Sequence, residues 1–190
     1  MNGASGIATS GKQLFLGFVL VAAVAASLVA APGPDGLLGA FLAALMLAIA
    51  ITDGRHYIIP NQLTGAAVAL ALLRAGMIGP DADLREVVWV ALRAAAVAAP
   101  LVLLMVGYRR WRGRDGLGLG DIKLAAVAGA WLGLVTVFAV IEVATLAALG
   151  AYILNGALRK RPLRATAFLP FGLFLAPAIW LGWLVEALLS

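Results

Sequence analysis

The stretch Ile122–Leu158, IKLAAVAGAWLGLVTVFAVIEVATLAALGAYILNGAL, contains one lysine and one glutamate and no other charged residue. As a single α-helix it would be about 55 Å long at about 1.5 Å per residue, whereas a bilayer core about 30 Å thick needs roughly 20 residues. We therefore predict two helices here, joined by a turn in the region bracketed by Gly133 and Glu142. Glu142 is expected to be a turn residue or an interior hydrogen-bond partner.

The rest of the chain has the same character, with 64% hydrophobic and 12% charged residues, where soluble domains average about a quarter charged. Five more apolar runs are Leu14–Ala31, Leu37–Thr52, Leu63–Ile78, Val87–Tyr108 and Ala167–Leu189. The sequence predicts an all-α, polytopic membrane helix bundle of about six to seven transmembrane helices, forming a single integral membrane domain over residues 1–190. The first run has a pattern that also permits a signal peptide. We expect a retained helix, because nothing soluble follows it.

The net charge of +5 comes from basic residues, most of which lie between the apolar runs. This placement indicates contact with anionic membrane lipid and not with nucleic acid. The chain has no cysteine, which excludes disulfides, thiolate zinc sites and cysteine nucleophiles. We expect no cofactor and no metal.

The basic residues also predict the orientation. With a cytoplasmic N-terminus, eleven of them fall on the cytoplasmic side and three on the other. The eleven are Lys12, Arg55, Arg109, Arg110, Arg112, Arg114, Lys123, Arg159, Lys160, Arg161 and Arg164, and the three are Arg74, Arg85 and Arg93.

Two aspartates stand at ends of apolar runs. Asp53 ends the second run and Asp121 begins the fifth. Because two spans separate them, they lie on the same side whichever way the chain is inserted. The same parity places four other acids on the opposite side, in ordinary loop positions: Asp35, Asp81, Asp83 and Glu86.

Two carboxylates at one membrane face suggest aspartic-protease chemistry, in which a close pair shares one proton. Alternatives remain open from these residues alone. Carboxylates in a membrane also serve ion-coupled transporters and channels. Asp121 could simply favour the start of its helix and Asp53 could pair with Arg55. A catalytically inactive scaffold is a third possibility.

The local sequences narrow this choice. They are Gly118-Leu119-Gly120-Asp121-Ile122-Lys123-Leu124, followed by Gly129-Ala130-Trp131-Leu132-Gly133, then Asp53-Gly54-Arg55-His56-Tyr57-Ile58-Ile59-Pro60-Asn61, and Pro170-Phe171-Gly172. In combination they resemble the type IV prepilin peptidase family, within the GxGD intramembrane aspartic peptidases. The resemblance runs from about Leu37 to the C-terminus.

The resemblance implies a bacterial cytoplasmic (inner) membrane enzyme that removes the cytoplasmic leader of prepilins or pseudopilins, with Asp53 and Asp121 as the catalytic pair. Larger members carry a cysteine-bearing zinc domain and a methyltransferase activity. Because this chain has no cysteine, it resembles the short members of the family that are associated with Flp-type pili. We therefore expect peptidase activity without methyl transfer.

Further residues are expected to shape or contact the site. Gly118 and Gly120 allow close backbone approach. The other candidates are Pro60 and Asn61 as the start of the third span, Pro170 and Gly172 at the entry of the last helix, and Lys123 as a contact for lipid phosphate or for the aspartates. The tryptophans are expected to pack or to anchor the membrane interface.

Overall fold

The structure, a computed structural model, describes residues 3–78, 82–113, 118–159 and 169–189, without the side chains of residues 3–10 and Lys12. Within these residues there are helices and no strands. The seven α-helices are α1 (Gly3–Ala30), α2 (Pro34–His56), α3 (Asn61–Leu73), α4 (Leu84–Arg112), α5 (Leu119–Trp131), α6 (Leu134–Leu158) and α7 (Gly172–Leu189). A π-helical turn, Arg74–Ile78, continues α3. The predicted all-α bundle is confirmed.

Six of the described helices are long and apolar enough to cross a membrane, counting α3 together with its π-helical turn. The exception is α5, which has 13 residues and is therefore only about 20 Å long. The expectation of about six to seven spans agrees with this count.

The long apolar run breaks after Trp131, where α5 ends, and α6 begins at Leu134. The N–H of Gly133 donates to Glu186 Oε1 at 2.9 Å, so a side chain from α7 satisfies a backbone donor at the start of α6. The prediction of two helices is confirmed. The expectation for Glu142 is wrong, because the break falls at the first residue of the bracketed interval and Glu142 is exposed within α6.

The core is built around α5, which packs on α3, α4, α6 and α7, while α2 packs chiefly on α7 and α1. Trp131 and Trp183 are almost completely buried. The indole N–H of Trp131 donates to the carbonyl of Ala67 at 2.8 Å, and the indole of Trp183 lies on Gly39. These tryptophans pack within the bundle, whereas Trp111 is exposed.

An ion pair joins the start of α2 to the end of α3. Arg74 donates from Nε to Asp35 Oδ1 at 2.6 Å and from Nη2 to Asp35 Oδ2 at 3.0 Å. The two residues share one end of the bundle, as parity predicted. However, Asp35 lies in the first turn of α2 and is engaged by Arg74, so its assignment to an ordinary loop is wrong.

The other charged residues that the sequence places at or near helix ends are located as follows. Asp83 is the N-cap residue of α4 and accepts the N–H of Leu84 at 2.6 Å. Arg93 lies inside α4, in agreement with its position in the predicted apolar run Val87–Tyr108. Asp81 and the basic residues Arg114, Lys160, Arg161 and Arg164 lie outside the described residues.

Candidate active site

Asp53 lies in the last turn of α2 and is only 5% exposed. Its Oδ2 atom accepts the backbone N–H of Leu173 at 3.0 Å. Leu173 is the second residue of α7, where helix N–H groups lack intrahelical acceptors and carry partial positive charge. The partner of the Asp53 carboxylate is therefore the N-terminus of α7, and not Arg55.

Gly172 is required by the position of that carboxylate. A Cβ atom there would lie 2.9 Å from Asp53 Oδ2 and 2.8 Å from Ile59 Cδ1, closer than side chains approach each other. The N–H of Leu173 is shared between Asp53 Oδ2 and the carbonyl of Pro170, which lies at 3.2 Å and precedes the first residue of α7. The structure thus places both predicted residues, Pro170 and Gly172, at the helix entry beside Asp53.

Asp121 lies in the first turn of α5, and its N–H donates to the carbonyl of Gly118 at 3.1 Å. A Cβ atom at Gly118 would lie 3.0 Å from Asp121 Oδ2. Burial raises the pKa of the Asp121 carboxyl to about 6, and the negative charge of Asp53 acts in the same direction. Asp53 and Asp121 lie near each other at one end of the bundle, because Ile59 lies against both Gly172, which neighbours Asp53, and Gly120, which precedes Asp121.

Ile59 lies between the two glycines that neighbour the aspartates. It is 8% exposed, its Cδ1 atom would be 2.8 Å from a Cβ at Gly172, and its Cβ atom would be 3.1 Å from a Cβ at Gly120. This side chain fills the space between the start of α5 and the start of α7. Sequence reasoning missed it. The available signal was an apolar pair, Ile58–Ile59, in the short segment after Asp53.

The segment that carries Ile59 begins with a left-handed residue, Tyr57. Tyr57 adopts a left-handed conformation with φ of 56°, and its N–H donates to the carbonyl of Asp53 at 2.8 Å. A non-glycine residue in this region is uncommon. The left-handed turn at Tyr57 ends α2 at His56 and directs Ile59 back toward Asp53.

Asn61 and Lys123 tie this segment to α5. Pro60 is the N-cap residue of α3 and α3 begins at Asn61, so the predicted helix start is confirmed. The ammonium group of Lys123 donates to Asn61 Oδ1 at 2.6 Å. Sequence reasoning expected Lys123 to contact lipid or the aspartates, whereas its described partner is this amide.

The site therefore contains two neighbouring carboxyl groups, one held by a helix N-terminus and one with a pKa shifted toward neutrality. Such a pair can retain a single proton near pH 6 and act as acid and base together. Within the described residues, no group of three His, Cys, Asp or Glu side chains has the proximity to hold a metal ion.

Comparison with known proteins identifies the family. The model of the type IV leader peptidase family matches residues 40–154, a range that includes both aspartates. This chain belongs to the type IV leader peptidase family. In this family member, the segment Pro170–Gly172 lies beyond the end of the matched range.

Curated relatives agree with the family match. A prepilin leader peptidase/N-methyltransferase of Xanthomonas campestris pv. campestris is 33% identical over 180 residues, covering 90% of this chain and 60% of the relative. The protein of the same name from Escherichia coli K12 is 34% identical over 141 residues, covering 73% of this chain and 60% of the relative. The leader peptidase HopD of Escherichia coli is 32% identical over 143 residues, covering 74% of this chain and 88% of HopD.

The chain thus spans about 60% of the length of the first two relatives. No solved structure gives a significant match. The expectation that this chain lacks methyltransferase activity stays a prediction.

Proposed function

We propose that this chain is an intramembrane aspartic endopeptidase that removes the leader peptide of type IV prepilins or pseudopilins, with Asp53 and Asp121 as the catalytic pair. The observation that supports this most is the pair itself. Asp53 is buried against α7, Ile59 lies between the glycines that neighbour Asp53 and Asp121, and both aspartates belong to the range matched by the leader peptidase family.

The surroundings of the two carboxyl groups suggest how they divide the work. Burial disfavours the anionic form of Asp53, and the hydrogen bond from the Leu173 N–H offsets part of this cost. The raised pKa of Asp121 keeps that carboxyl protonated to about pH 6. We therefore assign Asp53 as the base and Asp121 as the acid.

The reaction then needs no cofactor. Asp53 takes a proton from a water molecule while Asp121 donates its proton to the oxygen of the scissile carbonyl, and the water oxygen adds to the carbonyl carbon. The resulting tetrahedral diol collapses when the proton held by Asp53 passes to the leaving nitrogen and one diol hydroxyl returns its proton to Asp121. The C–N bond breaks, one water is consumed and the pair regains its starting protonation.

The rim of the site fits a substrate that changes from polar to apolar at the cleavage point. Tyr57, Ile58 and Leu119 are each about 60% exposed at this end of the bundle. Their apolar surface suits the first turn of a hydrophobic substrate helix, while the lack of side chains at Gly118 and Gly120 lets the Asp121 carboxyl group and Ile59 pack closely at the start of α5. The leader itself would extend into the aqueous phase, which by the loop charges is the cytoplasm.

An ion-coupled transporter or channel is less well supported. Transport sites are expected near the middle of the bilayer, at interrupted helices. Asp53 and Asp121 lie instead in terminal turns of α2 and α5. This position gives the pair access to the membrane surface, where a leader would lie.

The experiment is cleavage of a defined substrate. The chain, purified in detergent and returned to liposomes of bacterial inner-membrane lipid, is mixed with a prepilin that carries a basic leader and an epitope tag. We expect one product, shortened by the leader, with the cut located by mass spectrometry. Failure of well-folded protein to cut a prepilin that a known leader peptidase cuts in parallel would contradict the proposal.

A further inference from the structure

Arg93 is a cation placed within a helix that is apolar enough to span the membrane. It lies nine residues after Leu84, the first residue of α4, which is about 13 Å along the helix. Its side chain is half-buried, and its Nε atom is buried with no hydrogen-bond partner among the described residues. Charged groups at such depth normally have a partner.

A second polar group lies on the same stripe of α4. Residues 93, 96 and 100 share one helix face, because they are three, four and seven positions apart. Pro100 has no N–H to donate to the carbonyl of Ala96, and both residues are exposed. In lipid, backbone polar groups need partners. Because the Arg93 Nε atom is covered by the chain's own atoms, this stripe presents the exposed part of the Arg93 side chain and the Ala96 carbonyl to a neighbouring helix.

Glu142 presents the complementary charge on α6. It is exposed and lies opposite the buried face of that helix, which is formed by Val137, Val140, Ala144 and Ala148. Its neighbours on the exposed face are apolar, with Phe138 71% and Leu149 50% exposed. No hydrogen bond or ion pair engages its carboxylate within the described residues.

The two charges lie at comparable depths. Gly129 of α5 packs on the backbone of α4 at Arg93, four residues or about 6 Å before Gly133. Glu142 lies nine residues, about 13 Å, beyond Gly133 along α6. The difference of about 7 Å along the helices is one that the long side chain of Arg93 can bridge. Within one molecule they do not meet, because α4 packs on α5 and α6 packs on α7.

We propose that copies of this chain associate in the membrane through α4 of one copy and α6 of the next, with Arg93 and Glu142 forming an ion pair across the interface. A second copy is the partner that fits, because it supplies both charges at depths that differ by about 7 Å, which the long side chain of Arg93 can bridge. An anionic lipid would satisfy Arg93 and would leave Glu142 without a partner. Since the two surfaces differ, the contact is head-to-tail and generates a ring or a linear array.

The test uses the absence of cysteine from the chain. One copy carries Ala96→Cys next to Arg93, and the other carries Thr145→Cys one turn from Glu142. In native-lipid vesicles that contain both variants, we expect a cross-linked dimer, and none from either variant alone. As the control, Phe18→Cys on α1, where Phe18 is 71% exposed, takes the place of one of the two cysteine variants in the mixture. This pair should give no cross-linked dimer.

Charge reversal then tests the ion pair. Glu142→Arg in the Thr145→Cys copy should lower cross-linking about five-fold, which corresponds to about 1 kcal/mol. Adding Arg93→Glu to the Ala96→Cys copy should restore it. Thermal unfolding of each variant checks that it remains folded.

Two results would overturn the proposal. The first is a cross-linking yield that does not change when Glu142→Arg or Arg93→Glu is introduced. The second is an absence of dimer from folded protein, with Arg93→Gln instead releasing co-purified anionic lipid. These tests do not depend on peptidase activity, so they stand apart from the proposed function.

Discussion

The carboxylate of Asp53 accepts the backbone N–H of Leu173 at 3.0 Å, across 120 residues of sequence. This contact joins the end of α2 to the start of α7. It places a buried carboxylate against helix N–H groups, so the charged oxygen is held in one position before any substrate arrives. The structure of the site therefore depends on α7 as well as on the two helices that carry the aspartates.

Gly172→Ala should damage the site because the new methyl group would lie 2.9 Å from Asp53 Oδ2. Either α7 or the carboxylate must move, and a displacement of about 1 Å can lower a rate about 100-fold. We expect kcat/KM for leader cleavage to fall by about 10- to 100-fold. Gly65→Ala is the matched control, since nothing lies within 4 Å of its Cβ position. Equal activity of the two variants would contradict the assigned contact.

Ile59→Ala should remove the side chain that separates the starts of α5 and α7. Truncating a buried isoleucine leaves a cavity and lowers the free energy of unfolding by about 2–5 kcal/mol. Cleavage should also slow, because the distance between the two carboxyl groups is no longer fixed. Ile58→Ala is the control, as Ile58 is 62% exposed and should leave the Tm unchanged. Thermal unfolding in detergent with a parallel cleavage assay measures both effects.

Much of the fold and the two central residues were predictable from the sequence. Hydrophobic length indicates helices, and parity puts Asp53 and Asp121 at one end. The orientation inferred from loop charge stays a prediction. The partners within the bundle were not predictable, since each depends on which distant helices pack together. Examples are Asp35 with Arg74, Gly133 with Glu186, and Ile59 with Gly172.

Asp121→Asn should make the protein more stable at neutral pH while removing activity. The pKa of this carboxyl is about 6 in the folded protein and about 4 in an unfolded chain. The folded state therefore binds more protons between about pH 4 and pH 6, so stability falls as pH rises through that window. We expect Asn to raise the Tm by a few degrees at pH 7.5 and to leave it unchanged at pH 4. A lower Tm at pH 7.5 would argue against a buried charge at this position.

Single cysteines should report the orientation of the bundle. Arg112→Cys at the end of α4 should react with a membrane-impermeant maleimide only after the cells are opened. Ala82→Cys, which leaves the Asp83 cap intact, should react in intact cells. Because the chain has no cysteine of its own, labelling is assigned without background. Labelling of Arg112→Cys in intact cells would show that the site faces the other side.

The catalytic pair itself is tested by measuring leader cleavage with Asp53→Asn, Asp121→Asn and the unchanged protein at equal amounts in liposomes. Each substitution keeps the size of the side chain and removes its ability to exchange a proton. We predict that either one lowers cleavage by at least about 1000-fold, as expected when one half of an acid–base pair is lost, with insertion unchanged. Cleavage near the wild-type rate by either variant would contradict the assignment of Asp53 and Asp121 as the catalytic pair.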